Sequence, residues 1–263
     1  MIIATHGIIA SQLAGFDSDA QAFFDRVTTA GGSLSATEKT AVNTLVLDLK
    51  SYSIWAKMKA IYPMVGASAA ACAQNLKSSS FTGTFNGGIT YASTGVKGNG
   101  TSGWMNTFLT PSIDLSLNNT HISVYIRTNI AENASAIGNT SSGTGINELS
   151  IYPRYSNNDV YARINAASSP ITTTTDSRGF HIGSRISSTQ IKYYKNSSSF
   201  SLNNTSNALT TGTMPLLGFR YQGNISSYYS GECAFSSIGD GLTDTEASNF
   251  YTAVQAFQTS LSR

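Results

Sequence analysis

The sequence predicts a mainly β protein: an antiparallel β-sandwich preceded by a helical N-terminal region and closed by an amphipathic C-terminal helix. Three observations predict it. From about Phe81 the side chains alternate with period two, as on strands whose two faces meet different surroundings. Turn residues (Gly87-Gly88, Gly98-Asn99-Gly100, Asn118-Asn119, Asn157-Asn158) cut that stretch into many short segments, the texture of a sandwich. Before and after it, the apolar spacing changes to the helical period.

In chain order, Phe16, Ala20, Phe23, Phe24 and Val27 form one helical stripe, with Asp17 or Asp19 as its cap and Gly31-Gly32 as its stop. Ser35 and Glu38 make a capping box, in which hydroxyl and carboxylate satisfy free amides at a helix start. Val42, Leu45, Val46, Leu49 and Tyr52 follow as its buried stripe, and Trp55, Met58 and Ile61 continue the helical reading as far as Pro63. The Gly/Ala/Ser stretch from Gly66 to Ala73 reads as a linker or a tight packing surface. These residues, 1–77, form the expected helical region, for anchoring or self-association; residues 78–263 form the expected sandwich. Within the sandwich, Ile122, Val124 and Ile126 face one way, as do Val160, Ala162 and Ile164. Thr172 to Thr175 suits an exposed edge or loop. Thr243 and Glu246 make a second capping box, with Leu242 as hydrophobic staple. Ala247, Phe250, Tyr251, Val254, Phe257 and Leu261 then form a stripe that must pack on the sandwich, because a lone helix of this length is marginal in water.

Composition excludes several classes. Charged residues are 11% of the 263, against a usual figure of about 25%. Ser, Thr and Asn fill about a third of the chain instead. The net charge of +2 comes from scattered Lys and Arg with no basic run, which excludes nucleic acid and anionic membrane as partners. No apolar stretch reaches the ~18 residues of a membrane span, and Met1 to Gly15 lacks the basic start and long apolar core of a secretory signal. Cys72 and Cys233 read as free buried thiols.

Several ordered segments resemble the concanavalin A-like, LamG-like jelly rolls: Gly98 to Met105, His121 to Arg127, Ile191 to Asn196, Leu216 to Phe219, Tyr229 to Ile238, and the helix entry Gly241 to Glu246. Phe23 to Val27, Ile54 to Pro63 and Ile238 to Glu246 resemble virion proteins of tailed bacteriophages, the crAss-like phages among them, that join a helical part to such a sandwich. That resemblance implies a structural protein on a head fibre, capsid or tail. It would lie at the virion surface and contact other virion proteins and host glycan, and fibres suggest a homo-oligomer, a trimer in our expectation. Low charge and Ser/Thr/Asn richness fit an extracellular particle surface.

The sandwich superfamily also includes glycoside hydrolases, which need two carboxylates flanking the scissile bond. The glutamates are Glu38, Glu132, Glu148, Glu232 and Glu246, and none forms the Glu-x-Asp-x-x-Glu pattern of the related glucanases. A Glu148–Asp159 pair on neighbouring strands is the one alternative left for a carbohydrate-active enzyme. His6, His121 and His181 lack a nucleophile motif, and the last two read as turn or edge residues. The expectation is therefore a non-enzymatic protein with no cofactor. Calcium would need several oxygens on one loop, and Asn157, Asn158 and Asp159 are the best cluster, Asp240-Gly241 the second. Tyrosines concentrate in the sandwich half, where they suit sugar stacking or subunit interfaces. Tyr152, Arg154, Tyr155, Tyr221 and Asn224 are the candidate carbohydrate-binding residues. A purely architectural fibre subunit, its tyrosines buried between copies, is the other alternative.

Overall fold

Helix α1 (Ser18–Thr29) begins at Asp17, whose carboxylate accepts the Asp19 amide. It ends in a Schellman motif: the Gly32 amide bonds Val27 and the Gly31 amide bonds Thr28, with Gly31 at φ 82°. Helix α2 (Ala36–Ser51) carries the expected Ser35–Glu38 capping box, and the second Glu38 oxygen accepts the Gly66 amide at 2.7 Å. The computed structural model describes residues 15–141 and 147–263; the readings for residues 1–14, His6 included, lie outside them. Helix α3 (Ala69–Cys72) sits in the small-residue stretch, which proves to be a packing surface: a Cβ on Gly66 would lie 2.6 Å from that of Ala71. Helices α4 (Pro111–Asp114) and α5 (Asp244–Ser260) complete the set among the described residues, α5 with its Thr243–Glu246 capping box.

Seventeen short strands make two sheets among the described residues. The first holds β1 (Met58–Tyr62), β3 (Ile89–Ala92), β4 (Gly95–Gly98), β6 (Thr120–Ile126), β11 (Gly179–Arg185), β12 (Gln190–Lys195), β13 (Ser198–Asn203) and β17 (Glu232–Gly239). Its order is β13-β12-β11-β6-β17-β4-β3, with β1 also on β17. The second holds β2 (Thr84–Asn86), β5 (Trp104–Asn106), β7 (Ile137–Thr140), β8 (Glu148–Tyr152), β9 (Asp159–Ile164), β10 (Thr172–Thr173), β14 (Pro215–Leu216), β15 (Gly218–Tyr221) and β16 (Asn224–Tyr228). Its path runs β10-β9-β8-β7-β14-β5-β2, and the β15–β16 hairpin joins at β7. One contact departs from the expected antiparallel plan. Leu217 at φ 59° reverses the chain, and β15 runs parallel to β7.

The inner core lies between the sheets, with Ile122, Val124 and Ile126 meeting Ile137, Leu149, Ile151 and Ile164. Gly183 permits close approach here, since a Cβ on it would lie 2.6 Å from the Ile164 side chain. A second core forms on the outer face of the first sheet. There Ile61, Phe180, Ile182 and Phe235 meet Phe23, Val42, Leu45, Phe250 and Val254 from α1, α2 and α5. The molecule is thus helices, sheet, sheet, and the apolar stripes of α1 and α2 pack within one chain. They no longer argue for self-association.

Two expectations need correction. Met58–Tyr62, read as helical, is strand β1, paired with β17. His121 and His181 are not turn or edge residues; both are buried in strands with neighbours on each side. His121 bonds the Asp240 carbonyl and the Ser237 hydroxyl, and His181 bonds the Tyr193 hydroxyl and the Ser177 carbonyl. Burial pulls the pKa of each down to about 4. Both cysteines are free and buried, and burial pushes Cys72 up to about 11 and Cys233 to about 12.

Candidate functional site

The register of β8 against β9 builds the site. Leu149 pairs with Ile164 and Ile151 with Ala162, all pointing inward. Alternation therefore sends Glu148, Ser150 and Tyr152 from β8, and Tyr161 and Arg163 from β9, to the outer face. On β7, Gly138 lies between Ser150 and Phe219. A Cβ there would come within 2.7 Å of the Phe219 ring and 2.8 Å of the Ser150 Cβ, so only glycine leaves room for that ring.

Four rings gather on this face. The Tyr152 centroid is 5.8 Å from Tyr155, 6.0 Å from Tyr161 and 6.0 Å from Phe219, and Tyr155 and Tyr161 are 5.5 Å apart at 72°. These are mostly edge-to-face contacts. The Arg163 guanidinium sits 4.5 Å from the Tyr161 centroid and 5.5 Å from that of Tyr152. Its Nη1 donates to both Glu148 carboxylate oxygens, at 3.1 and 2.9 Å, and the Ser150 hydroxyl donates to the same carboxylate at 2.6 Å. Burial, reinforced by Glu148, raises the pKa of the Tyr152 hydroxyl.

The candidates from sequence are only partly brought together. Tyr155 joins the cluster from the turn after β8. Tyr152 joins it too, but as a correction: it is a strand residue, almost fully buried among its neighbours, and not a loop residue. Arg154 is held at the turn, donating to Asn158 at 2.9 Å and Asn129 at 3.1 Å. Tyr221 and Asn224 face each other across Gln222-Gly223, whose φ values of 47° and 87° are those of a type I′ hairpin. By register Tyr221 shares a row with Thr140 and Glu148, on the same outer face. A polar cavity of about 430 Å³, lined by Thr140, Ser141, Gly212 and Gln222, lies beside this hairpin. An apolar groove of about 420 Å³ between α2 and α5 lies on the helical side of the molecule, away from the ring cluster.

The sequence reading did not single out Tyr161, Arg163 or Phe219. The signal was present in β9: with Val160, Ala162 and Ile164 inward, Asp159, Tyr161 and Arg163 must all point out.

Two weaker candidates from the sequence can also be placed. In the calcium candidate, the Asn157 side-chain Oδ1 accepts from the Asp159 backbone amide, and the Asn157 Nδ2 donates to the Asp159 carboxylate at 2.8 Å. The Tyr161 hydroxyl takes the same carboxylate at 3.4 Å. One carboxylate already engaged in an Asx turn is ordinary turn chemistry, and no cluster of three His, Cys, Asp or Glu side chains suited to a metal occurs among the described residues. At Asp240 the backbone is engaged with His121 and Lys57. The Glu148–Asp159 pair does not form either. The register pairs Leu149, the neighbour of Glu148, with Ile164, five residues along β9 from Asp159, or roughly 17 Å at ~3.3 Å per residue. Carboxylates in glycosidases stand about 5 to 9.5 Å apart.

No family model matches the sequence, and no curated protein matches it. Solved structures do. Domain 4 of AbnA, a GH43 extracellular arabinanase from Geobacillus stearothermophilus, in complex with arabinotriose, is similar with a TM-score of 0.52 at 14% identity, over 74% of this chain and 98% of that one. The CBM40 of a Ruminococcus gnavus sialidase bound to α2,3-sialyllactose gives a TM-score of 0.38 at 16% identity, over 49% of this chain and 80% of that one. Trypanosoma rangeli sialidase gives 0.48 at 10% identity, over 81% of this chain but 39% of its own. The last two likenesses are too loose to carry weight. What the arabinanase domain establishes, at its low identity, is the fold class read from the sequence: a two-sheet jelly-roll sandwich.

Proposed function

We propose that the protein is a non-enzymatic glycan-binding protein displayed on the surface of a tailed-phage particle, with the outer face of its second sheet as the binding surface. The observation that carries this is the cluster of Tyr152, Tyr155, Tyr161 and Phe219 around Arg163, on the sheet face opposite the helical layer. Sugar rings present C–H faces that stack on aromatic rings, and a few placed polar groups fix their orientation. Tyr155, Tyr161 and the exposed Tyr221 supply the rings; Arg163 and Asn224 supply polar groups. The likeness to an arabinanase domain seen with arabinotriose supports the ligand class. A non-catalytic role is supported by Glu148 being tied to Arg163 and distant from Asp159. The virion placement rests on the sequence resemblance and the low charge.

The test is binding of the purified protein to an array of bacterial surface polysaccharides, with Tyr155→Ala and Tyr161→Ala beside it. Binding that each substitution weakens tenfold or more, with no new reducing ends, is expected. Binding that ignores both substitutions would remove this face from the reading. Self-association weakened by the same substitutions, without glycan binding, would favour the architectural subunit. Immunogold labelling of purified phage tests the placement, which unlabelled particles would refute.

A further inference from the structure

We propose that Glu148 sets the ligand class of this surface: by neutralising Arg163 it makes the ring cluster a site for neutral glycans and disfavours those bearing carboxylates. This inference rests on the glycan-binding reading above.

A guanidinium lying over two tyrosine rings would by itself be a docking point for a uronate or sialate carboxylate, because Arg and carboxylate pair strongly and with fixed geometry. Here that position is already filled from within. Both Glu148 oxygens accept from Arg163 Nη1, the Ser150 hydroxyl orients the carboxylate at 2.6 Å, and Glu148 is only 3% exposed. A carboxylate so enclosed stays in place when a ligand arrives. Arg163 keeps its stacking role and its apolar stem, while its charge is matched.

The neighbouring turn carries one charge of each sign. Arg154 and Asp159 flank the same turn, Arg154 on the Asn158 and Asn129 side chains and Asp159 on Asn157. Arg220 is directed elsewhere by alternation: its guanidinium lies 5.5 Å from the Trp104 ring and donates to the Thr213 and Gly223 carbonyls. A ligand carboxylate entering beside Tyr161 would therefore meet the Asp159 carboxylate and an Arg163 already matched by Glu148, while Arg154 is held by amide side chains at the turn. A neutral sugar meets rings, a hydroxyl and amides at no such cost.

The experiment uses the full chain and matched glycan pairs that differ by a carboxylate: lactose with 3′-sialyllactose, and oligogalactan with oligogalacturonate. Affinities are read by calorimetry at low and physiological salt. The wild type is expected to bind the neutral member of a pair at least tenfold more tightly. Glu148→Gln keeps the shape and an acceptor for Ser150 but releases the Arg163 charge, and it is expected to shift the acid-to-neutral ratio about tenfold toward the acid, more at low salt. Adding Arg163→Gln should abolish that shift. Thermal melts establish that each variant is folded, and the wild-type ratio stands whether or not they are. Equal or tighter wild-type binding of the acidic member overturns the inference and leaves the glycan-binding reading intact, as does an unchanged ratio in folded Glu148→Gln. Failure to bind any glycan overturns both.

Discussion

On the outer face of the first sheet the central aromatic residues are phenylalanines, and helices cover them; on that of the second they are three tyrosines beside Phe219, interleaved with a matched charge pair. Phe180 and Phe235 meet Phe250 of α5 at 5.1 and 5.9 Å. Where tyrosines do occur under the helices, their hydroxyls find a helix residue, Tyr125 on Gln255 and Tyr194 on Asp244. The pleat is the same on both sheets. What differs is whether the outward positions can be taken wholly out of water. A phenylalanine has no polar edge to satisfy, whereas a tyrosine suits a surface with one end apolar and one end wet. The chemistry of the outward residues therefore distinguishes a face built for the fold from a face left for a partner.

The largest expected effect lies on the covered side. Phe250→Ala opens a cavity between α5 and the first sheet and should cost about 3 to 5 kcal/mol in urea melts. A loss below about 1 kcal/mol would mean that the helical layer is not part of the cooperative unit.

Next comes acid. The two buried histidines have folded pKa values near 4, below the ordinary 6.5. The unfolded chain therefore binds protons that the folded one refuses, and stability falls as pH drops from about 6.5 toward 4, by up to roughly 3 kcal/mol per histidine. His121 lies against Phe250 and His181 lies between the sheets beside Tyr193, whereas Arg163 points to the outer face of the second sheet. Melting temperature should thus decline between pH 7.5 and 5.5 while affinity for a neutral glycan stays constant. A parallel loss of affinity would break the separation of the two faces.

The smallest effect on stability belongs to the second face. Tyr161→Ala removes a half-buried ring and should cost about 1 kcal/mol, measured in the same urea melts as Phe250→Ala. A loss matching that of Phe250→Ala would make the tyrosine cluster a structural core like the other.

The sequence made the local signals plain and the layered ones obscure. Capping boxes at Ser35 and Thr243 are contiguous patterns, and the alternation of Ile122, Val124 and Ile126 shows directly which side is core. β1 was hidden because it lies between helices and sandwich and is apolar on both faces, so no alternation survives. The histidines misled for the related reason that a sheet covered on both sides buries its polar residues too. Their partners, Ser237 and the Asp240 carbonyl for one and Tyr193 and the Ser177 carbonyl for the other, come from other segments or turns. At the site, Tyr155 and Tyr221 could be named from their loop chemistry. The Arg163–Glu148 pairing depends on the register of two strands, which spacing alone does not reveal.

The place of β17 also bears on how the chain is made. It is the last strand in chain order among the described residues, yet it lies inside the first sheet, pairing with β6, β4 and β1. Until Glu232 to Gly239 emerges, those three strands have open edges, and the most sequence-distant contacts must form last. Such a topology folds slowly and exposes sticky edges in the meantime. Synthesis interrupted before β17 would leave the earlier strands present and the first sheet without its middle.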